Sequence, residues 1–213
     1  MGRTLALSLV LVAGAMLAAP SGAPSGAAGA TPERLAATRA LLDRLRASGR
    51  AEVAVRTVRP DPLGEGTRVV TGRLALEPPR FARLDLSTGE RLTLRADGGD
   101  WLQPATRQLV RAGARSAGAA LAWWGVLLES GHERFRERAE GRRTFVLTPA
   151  DSEAAGPTRV TLGSGGLPAA IEVEDAAGER VTWRFSGWRF VRPRGRTAFV
   201  LEAPPGYDVV EMP

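Results

Sequence analysis

The sequence predicts a mainly β fold of the α+β class: an antiparallel sheet with one dry face, and helices laid against that face. Three observations carry it. Apolar residues recur at every second position through most of the chain, and glycine, proline and acidic turn signals separate these runs at hairpin spacing. One uncharged apolar segment, 116–128, breaks the alternation. A sheet with a single dry face must curl or pair with something.

Ahead of these elements lies a leader. Met1-Gly2-Arg3-Thr4 places one positive charge before an apolar stretch from Leu5 to Ala19, the order of a secretory signal. The stretch is shorter than the roughly 20 residues that cross a bilayer, and small residues follow it, with the best cleavage site at Ala28-Gly29-Ala30. The expected division is a signal peptide at 1–30, cleaved near Ala30, and one mature periplasmic domain at 31–213. The competing reading of the leader is an N-terminal membrane anchor with a flexible linker. Because the chain has no cysteine, it carries no lipid-modified cysteine, disulfide or thiolate metal site. With 44% hydrophobic residues, it has the material to hold together by burial alone.

The mature chain opens with a helix. Thr31-Pro32-Glu33 supplies a capping hydroxyl, a proline for the first turn and an acid for the N-terminal dipole; Leu35, Leu41, Leu42 and Leu45 follow at helical spacing, and Ser48-Gly49 ends the segment. From Ala51 the period becomes two. Val53 and Val55 alternate with charge. Val70, Gly72, Leu74 and Leu76 then alternate with Val69, Thr71, Arg73, Ala75 and Glu77, and Leu92, Leu94 and Ala96 alternate with Arg91, Thr93 and Arg95. Turns are read at 63–66, Pro78-Pro79, 87–89 and 97–100. Further strands are expected at 144–148, 158–162, 170–174, 180–186, 188–191 and 198–202; in these, Ile171 and Val173 oppose Glu172 and Glu174, and Val181, Trp183 and Phe185 oppose Thr182, Arg184 and Ser186.

The segment 116–128 carries Leu121, Trp123, Trp124, Val126, Leu127 and Leu128 without a charge. It is too short to span a membrane and too apolar all round for an exposed helix, so it is placed on the dry face of the sheet. Gly118 and Gly125 make it a weak helix by propensity, one that depends on its packing surface.

Chemistry is sparse. The single histidine, His132, sits in a turn beside Glu133, which removes the ordinary nucleophile–histidine pair. Gly163-Ser164-Gly165-Gly166 joins two strands and lacks the lysine and following helix of a phosphate loop. Glu172, Glu174 and Asp175 form an acidic group, but the two glutamates alternate on a polar strand face. The expectation is no enzyme, no metal and no cofactor. The net charge of +6, falling to +5 when Arg3 leaves with the leader, is all arginine, scattered over many segments. Arginines scattered in this way read first as a solvated surface; outside the cytoplasm any partner of such an excess is an anionic lipid headgroup, a glycolipid or an acidic protein rather than nucleic acid. Trp101, Trp123, Trp124, Trp183, Phe185 and Phe199 are either ordinary core or the lining of a cavity between the sheet and the apolar helix.

The order of the parts resembles the LolA family of periplasmic lipoprotein carriers. It is carried by the leader, the opening helix, Gly72-Arg73-Leu74-Ala75-Leu76, Pro78-Pro79-Arg80-Phe81 and 96–104 with its Asp97-Gly98-Gly99-Asp100-Trp101 core. The apolar helical segment, Thr144-Phe145-Val146-Leu147-Thr148-Pro149 and the ending from Phe199 through Ala203-Pro204-Pro205-Gly206-Tyr207 to Val210 complete it. The resemblance implies an unclosed half-barrel, a strongly curved antiparallel sheet whose concave apolar face is covered by the N-terminal helix and a lid helix. Its members accept the acyl chains of lipoproteins from an inner-membrane releasing complex and pass them to an outer-membrane receptor. Carried onto this chain, the resemblance puts Val70, Leu74, Leu76, Leu84, Leu92, Leu94, Trp101, Phe145, Ile171, Val173, Trp183, Phe185 and Phe199 in the cavity, with Trp123, Trp124, Leu127 and Leu128 on the lid. Two positions depart from the family pattern. The arginine that bonds the lid just before the proline is replaced by Glu77, leaving Arg80 as the lid-contact candidate, and no tryptophan follows Phe81. The implied function is a monomeric periplasmic carrier of acylated lipoproteins or other lipid chains. The alternative is a non-catalytic envelope regulator or assembly module of the same fold, which binds a membrane-protein segment or a glycolipid.

Overall fold

The computed structural model describes residues 35–60, 66–114, 122–128, 135–150, 156–174 and 180–212. All of them belong to one compact unit, Pro32–Pro213. The leader, the expected helix start at Thr31-Pro32-Glu33, most of the 63–66 turn, residues 116–121, His132 and Asp175 lie outside the described residues.

In chain order the elements are α1 (Arg39–Ser48), β1 (Arg50–Pro60), β2 (Thr67–Glu77), β3 (Phe81–Leu86), β4 (Arg91–Arg95), β5 (Gly98–Gln103) and β6 (Gln108–Gly113). There follow α2 (Ala122–Leu128), β7 (Phe135–Ala139), β8 (Thr144–Pro149), β9 (Thr158–Leu162), β10 (Pro168–Glu174), β11 (Arg180–Val191), a 3-10 turn at Arg196–Phe199 and β12 (Asp208–Met212). The strands form one sheet of twelve, in the order β12-β6-β5-β4-β3-β2-β1-β11-β10-β9-β8-β7. The sheet does not close on itself, and with two helices beside it the fold fits an open half-barrel.

Helix α1 begins at Arg39, after a turn at 36–38, and Thr38 at its cap makes no side-chain capping bond. The acceptor comes instead from β7. The two carboxylate oxygens of Glu137 accept the backbone N–H groups of Ala37 and Ala36, at 2.9 and 3.1 Å. This satisfies donors that a helix start leaves orphaned and puts negative charge at the positive end of the dipole. At the other end Gly49 adopts a left-handed conformation and its N–H bonds the carbonyl of Leu45 at 2.7 Å. Leu41, Leu42 and Leu45 are buried on the sheet side.

The expected strands at 144–148, 158–162 and 170–174 are observed, and 180–186 and 188–191 prove to be one strand, β11. Its pairing with β1 slips between Glu52 and Ala54, where Gly187 at φ 68° forms the irregularity that had looked like a turn. Three other readings are corrected. The 97–100 turn contracts to Ala96-Asp97, because Gly98 enters β5 at φ 146° so close to the carbonyl of Ala112 that only a glycine fits. Residues 198–202 are a 3-10 turn and an extended segment without a strand partner. Side chains take up their backbone groups: Arg83 donates to the Ala198 carbonyl at 3.0 Å, Arg95 to the Phe199 carbonyl at 2.9 Å, and Leu201 N–H donates to Asp100 at 3.0 Å. Finally, the sheet is not wholly antiparallel, since β12 pairs with β6 in parallel. Residues 192–207 carry the chain from β11 to the far edge of the sheet, where β12 joins β6 without a hairpin to force an antiparallel pairing.

Candidate ligand-binding face

Register places the apolar residues in rows across one face. Val110, Trp101, Leu92, Leu84, Leu74 and Val53 are successive cross-strand partners from β6 to β1. A second row runs Val70, Thr57, Trp183, Ile171, Val160 and Phe145 from β2 to β8. Cross-strand apolar pairs of this kind stabilise a sheet only when something covers them. Here α1 and α2 do so. Leu35, Leu41, Leu42 and Leu45 from the first helical segment, and Trp124, Val126, Leu127 and Leu128 from the second, form one buried cluster with the sheet residues.

Of the residues singled out from the sequence, Val70, Leu74, Leu76, Leu84, Trp124, Leu127, Leu128, Ile171, Trp183 and Phe185 belong to that cluster, and Leu92, Leu94, Phe145 and Val173 pack against it while partly exposed. Trp101 shares the face through its pairing with Leu92 but stands outside the cluster. Trp123 lies in α2, and its side chain is outside the described residues. Arg80 is exposed in the turn after β2. Phe199 is fully buried on the opposite face, against Phe81 (ring centroids 5.3 Å apart) and beneath the guanidinium of Arg50 at 5.7 Å.

That opposite face is covered by the 192–207 strap, which is held by buried charge. Glu77, 5% exposed, points away from the helices and accepts the N–H groups of Arg194 and Gly195 at 2.9 and 3.0 Å. The sequence had placed it on a wet face. Its neighbour Arg50 pairs with Glu52 at 3.1 Å, and Glu52 in turn takes a bond from Arg189 at 2.9 Å. Burial alone would raise the Glu52 carboxyl, but the bond from Arg189 and the charges of Arg50, Arg189 and Arg194 hold it below the usual carboxylate range. Farther along, Asp100 is 3% exposed, receives both Arg95 terminal nitrogens at 2.7 and 3.1 Å, and takes the Leu201 N–H. Burial pushes its carboxyl up, and these bonds together with the charges of Arg95 and Arg111 lower it overall. Leu201 then packs with Leu102 and Leu109, and β12 follows.

Thr57 and Glu137 are among the polar residues on the apolar face that were not foreseen. Thr57 continues the Val53, Val55 alternation; it is 1% exposed and its hydroxyl has no hydrogen-bond partner. Glu137 shares a face with Phe135 and Leu147 through register and reaches the start of α1. Parity along β1 was enough to find Thr57. Glu137 carries no such signal, because its contact lies about a hundred residues away in sequence.

Among the described residues, no three His, Cys, Asp or Glu side chains converge in a way that could hold a metal ion, and no helix is long and apolar enough to cross a membrane. The arrangement defines a class by geometry: an open sheet with one apolar face under two helices and one ion-paired face under a strap. No family model matches the chain, and no curated protein matches it. Solved structures do. The chain is similar to a conserved protein from Thermus thermophilus (TM-score 0.47, 14% identity, covering 81% of this chain and 98% of that one). It is also similar to a LolA superfamily protein from Nitrosomonas europaea (0.42, 9%, 77% and 97%) and to the Mycobacterium tuberculosis lipoprotein LppX (0.39, 15%, 72% and 93%).

Proposed function

We propose that the chain is an exported, non-catalytic carrier that holds the acyl chains of lipoproteins or other lipids against its apolar face and moves them from the inner to the outer membrane. In this reading residues 1–30 are its export signal, the apolar face is the concave wall of the cavity, and α2 is the lid. The observation that supports it is α2 itself. This helix has seven residues, no charge in its first or last turn, and Trp124, Val126, Leu127 and Leu128 buried. A helix so short has no stability of its own in water and persists only through the surface it covers. An acyl chain satisfies that surface equally well, at about 0.8 kcal/mol per buried methylene, so cargo and helix compete for one place.

Release follows from the same competition. A receptor that draws the chain away leaves the face to α2, and no bond needs to be broken. Leu74, Leu76, Leu84, Leu92, Leu94, Ile171, Trp183 and Phe185 form the cavity wall in this reading, and Trp101 and Phe145 its rim. The test is displacement of an apolar fluorescent probe from the purified protein. An acylated peptide should displace it and the same peptide without its chain should not; equal displacement by both, or none by either, contradicts the reading.

A further inference from the structure

The outward side of β1 and β11 carries a cluster of arginines that the strap does not reach. Arg56 stands directly opposite Arg184 in the pairing of the two strands, and with Val58, Thr57, Thr182 and Arg180 they line a groove of about 260 Å³. Arg73 lies one strand over, on the same face of β2. All four arginines are exposed, and among the described residues none of them makes a side-chain hydrogen bond or an ion pair. Among the described residues the nearby carboxylates do not neutralise them: Asp85, the strand partner of Arg73, is bonded to Arg83 at 3.1 Å. Glu172 is bonded to Arg159 at 3.0 Å, and Glu174, the strand partner of Arg180, is a single charge among four. Arg50, Arg83, Arg95, Arg111, Arg138, Arg159 and Arg189 on the described strands have carboxylate partners, whereas exposed Arg68, Arg91 and Arg136 have none among the described residues and do not line the groove.

Like charges placed directly opposite each other on a sheet repel, and an anion between them would offset that cost. Next to the groove, Val58 and Val69 are strand partners on the same face, and both are exposed, at 43% and 47%. Arginines level with exposed apolar side chains match the boundary of a bilayer, where phosphates lie just outside the acyl region. The groove is smaller than the pockets that enclose drug-sized ligands, so it suits a headgroup rather than a whole lipid.

We propose that this groove seats the phosphate of an anionic phospholipid in a bilayer, so that the outer side of β1, β2 and β11 docks on an anionic membrane surface while the other face is free to exchange cargo. The proposal does not depend on what the apolar face holds.

The test is flotation of the purified protein with vesicles. Binding is expected to phosphatidylglycerol–phosphatidylcholine vesicles and not to pure phosphatidylcholine. Each arginine near an anionic surface contributes roughly a fivefold gain in affinity, so R56Q/R184Q should bind about thirtyfold more weakly. R142Q/R143Q, which removes the same charge from the exposed turn after β7, should bind as the parent does. R56Q/R184Q should also melt no lower than the parent, since a repulsive pair has been relieved, and R56K/R184K should retain binding. Four results would overturn the proposal: no binding to anionic vesicles, equal losses in the two glutamine variants, release from vesicles by inorganic phosphate at the lipid-phosphate concentration, or capture by an acidic protein with no vesicle binding.

Discussion

Replacing Leu127 with alanine tests whether α2 is a separable cover or part of the core. The four buried side chains of the helix contribute roughly 1.5–3 kcal/mol each, or about 6–12 kcal/mol in all. Ordering its seven residues costs roughly 1.5 kcal/mol apiece, about 10 kcal/mol together. The balance lies within a few kcal/mol of zero, so α2 opens without taking the sheet with it. Leu127 is fully buried, and its truncation costs about 2–5 kcal/mol in transfer and cavity terms. The assay is native-state amide hydrogen exchange. In L127A the amides of Trp124–Leu128 should exchange about thirtyfold faster or reach the unprotected rate, since 2 kcal/mol corresponds to that factor, while those of β1, β2 and β11 change little. Equal acceleration of helix and sheet would refute the reasoning, because α2 would then open only when the whole domain unfolds.

Two further outcomes concern the ion-paired face and a third the glycines of β5 and β11. Asp100 titrates below the ordinary carboxylate value near 3.9 in the folded chain, so the unfolded chain binds its proton first as pH falls. Its contribution is complete above that value and lost as pH drops through the folded one. In urea unfolding, D100N should therefore be about 3–5 kcal/mol less stable at pH 7, with the gap to the parent narrowing below about pH 4; a gap independent of pH contradicts the assignment. E77A removes the acceptor of two strap N–H groups beside buried Arg50, and limited trypsin digestion should cut faster after Arg194 and Arg196, with the sheet left intact. Alanine at Gly98 would drive its Cβ into the Ala112 carbonyl and should cost several times more in thermal unfolding than alanine at Gly187, whose φ of 68° is strained by about 1–2 kcal/mol but whose surroundings are open.

What the sequence disclosed and what it hid divide along the two faces. Alternation from Leu74 to Phe185 gave the helix-covered face almost entirely, because burial there follows strand parity and parity is local. The other face misled at Glu77, which parity marks as wet, and at Phe199, which the resemblance puts in the cavity. Parity marks the residues opposite the core as wet, but a strap arriving from more than a hundred residues downstream covers them, and Glu77 is buried because Arg194 and Gly195 need an acceptor. Strands β3, β6, β7 and β12 went unread, β6 and β7 for different reasons. Gln108–Gly113 offers only Leu109 and Val110 as signal, and Phe135–Ala139 is mostly charged, with one of its charges spent on the start of α1. The groove beside Arg56 and Arg184 was also hidden, since scattered arginines become opposed only when β1 and β11, far apart in sequence, lie side by side.

Carriage of acyl chains is tested most directly by what the protein holds when it is taken from the cell envelope. Purified without detergent and analysed by native and denaturing mass spectrometry, the parent protein should carry acyl-bearing lipids or lipoproteins in near-stoichiometric amount. A variant with glutamate in place of Leu92, on the apolar face and partly exposed, should carry none while remaining folded. A folded parent that is uniformly empty, or cargo that is unchanged in the Leu92→Glu variant, would contradict carriage on this face.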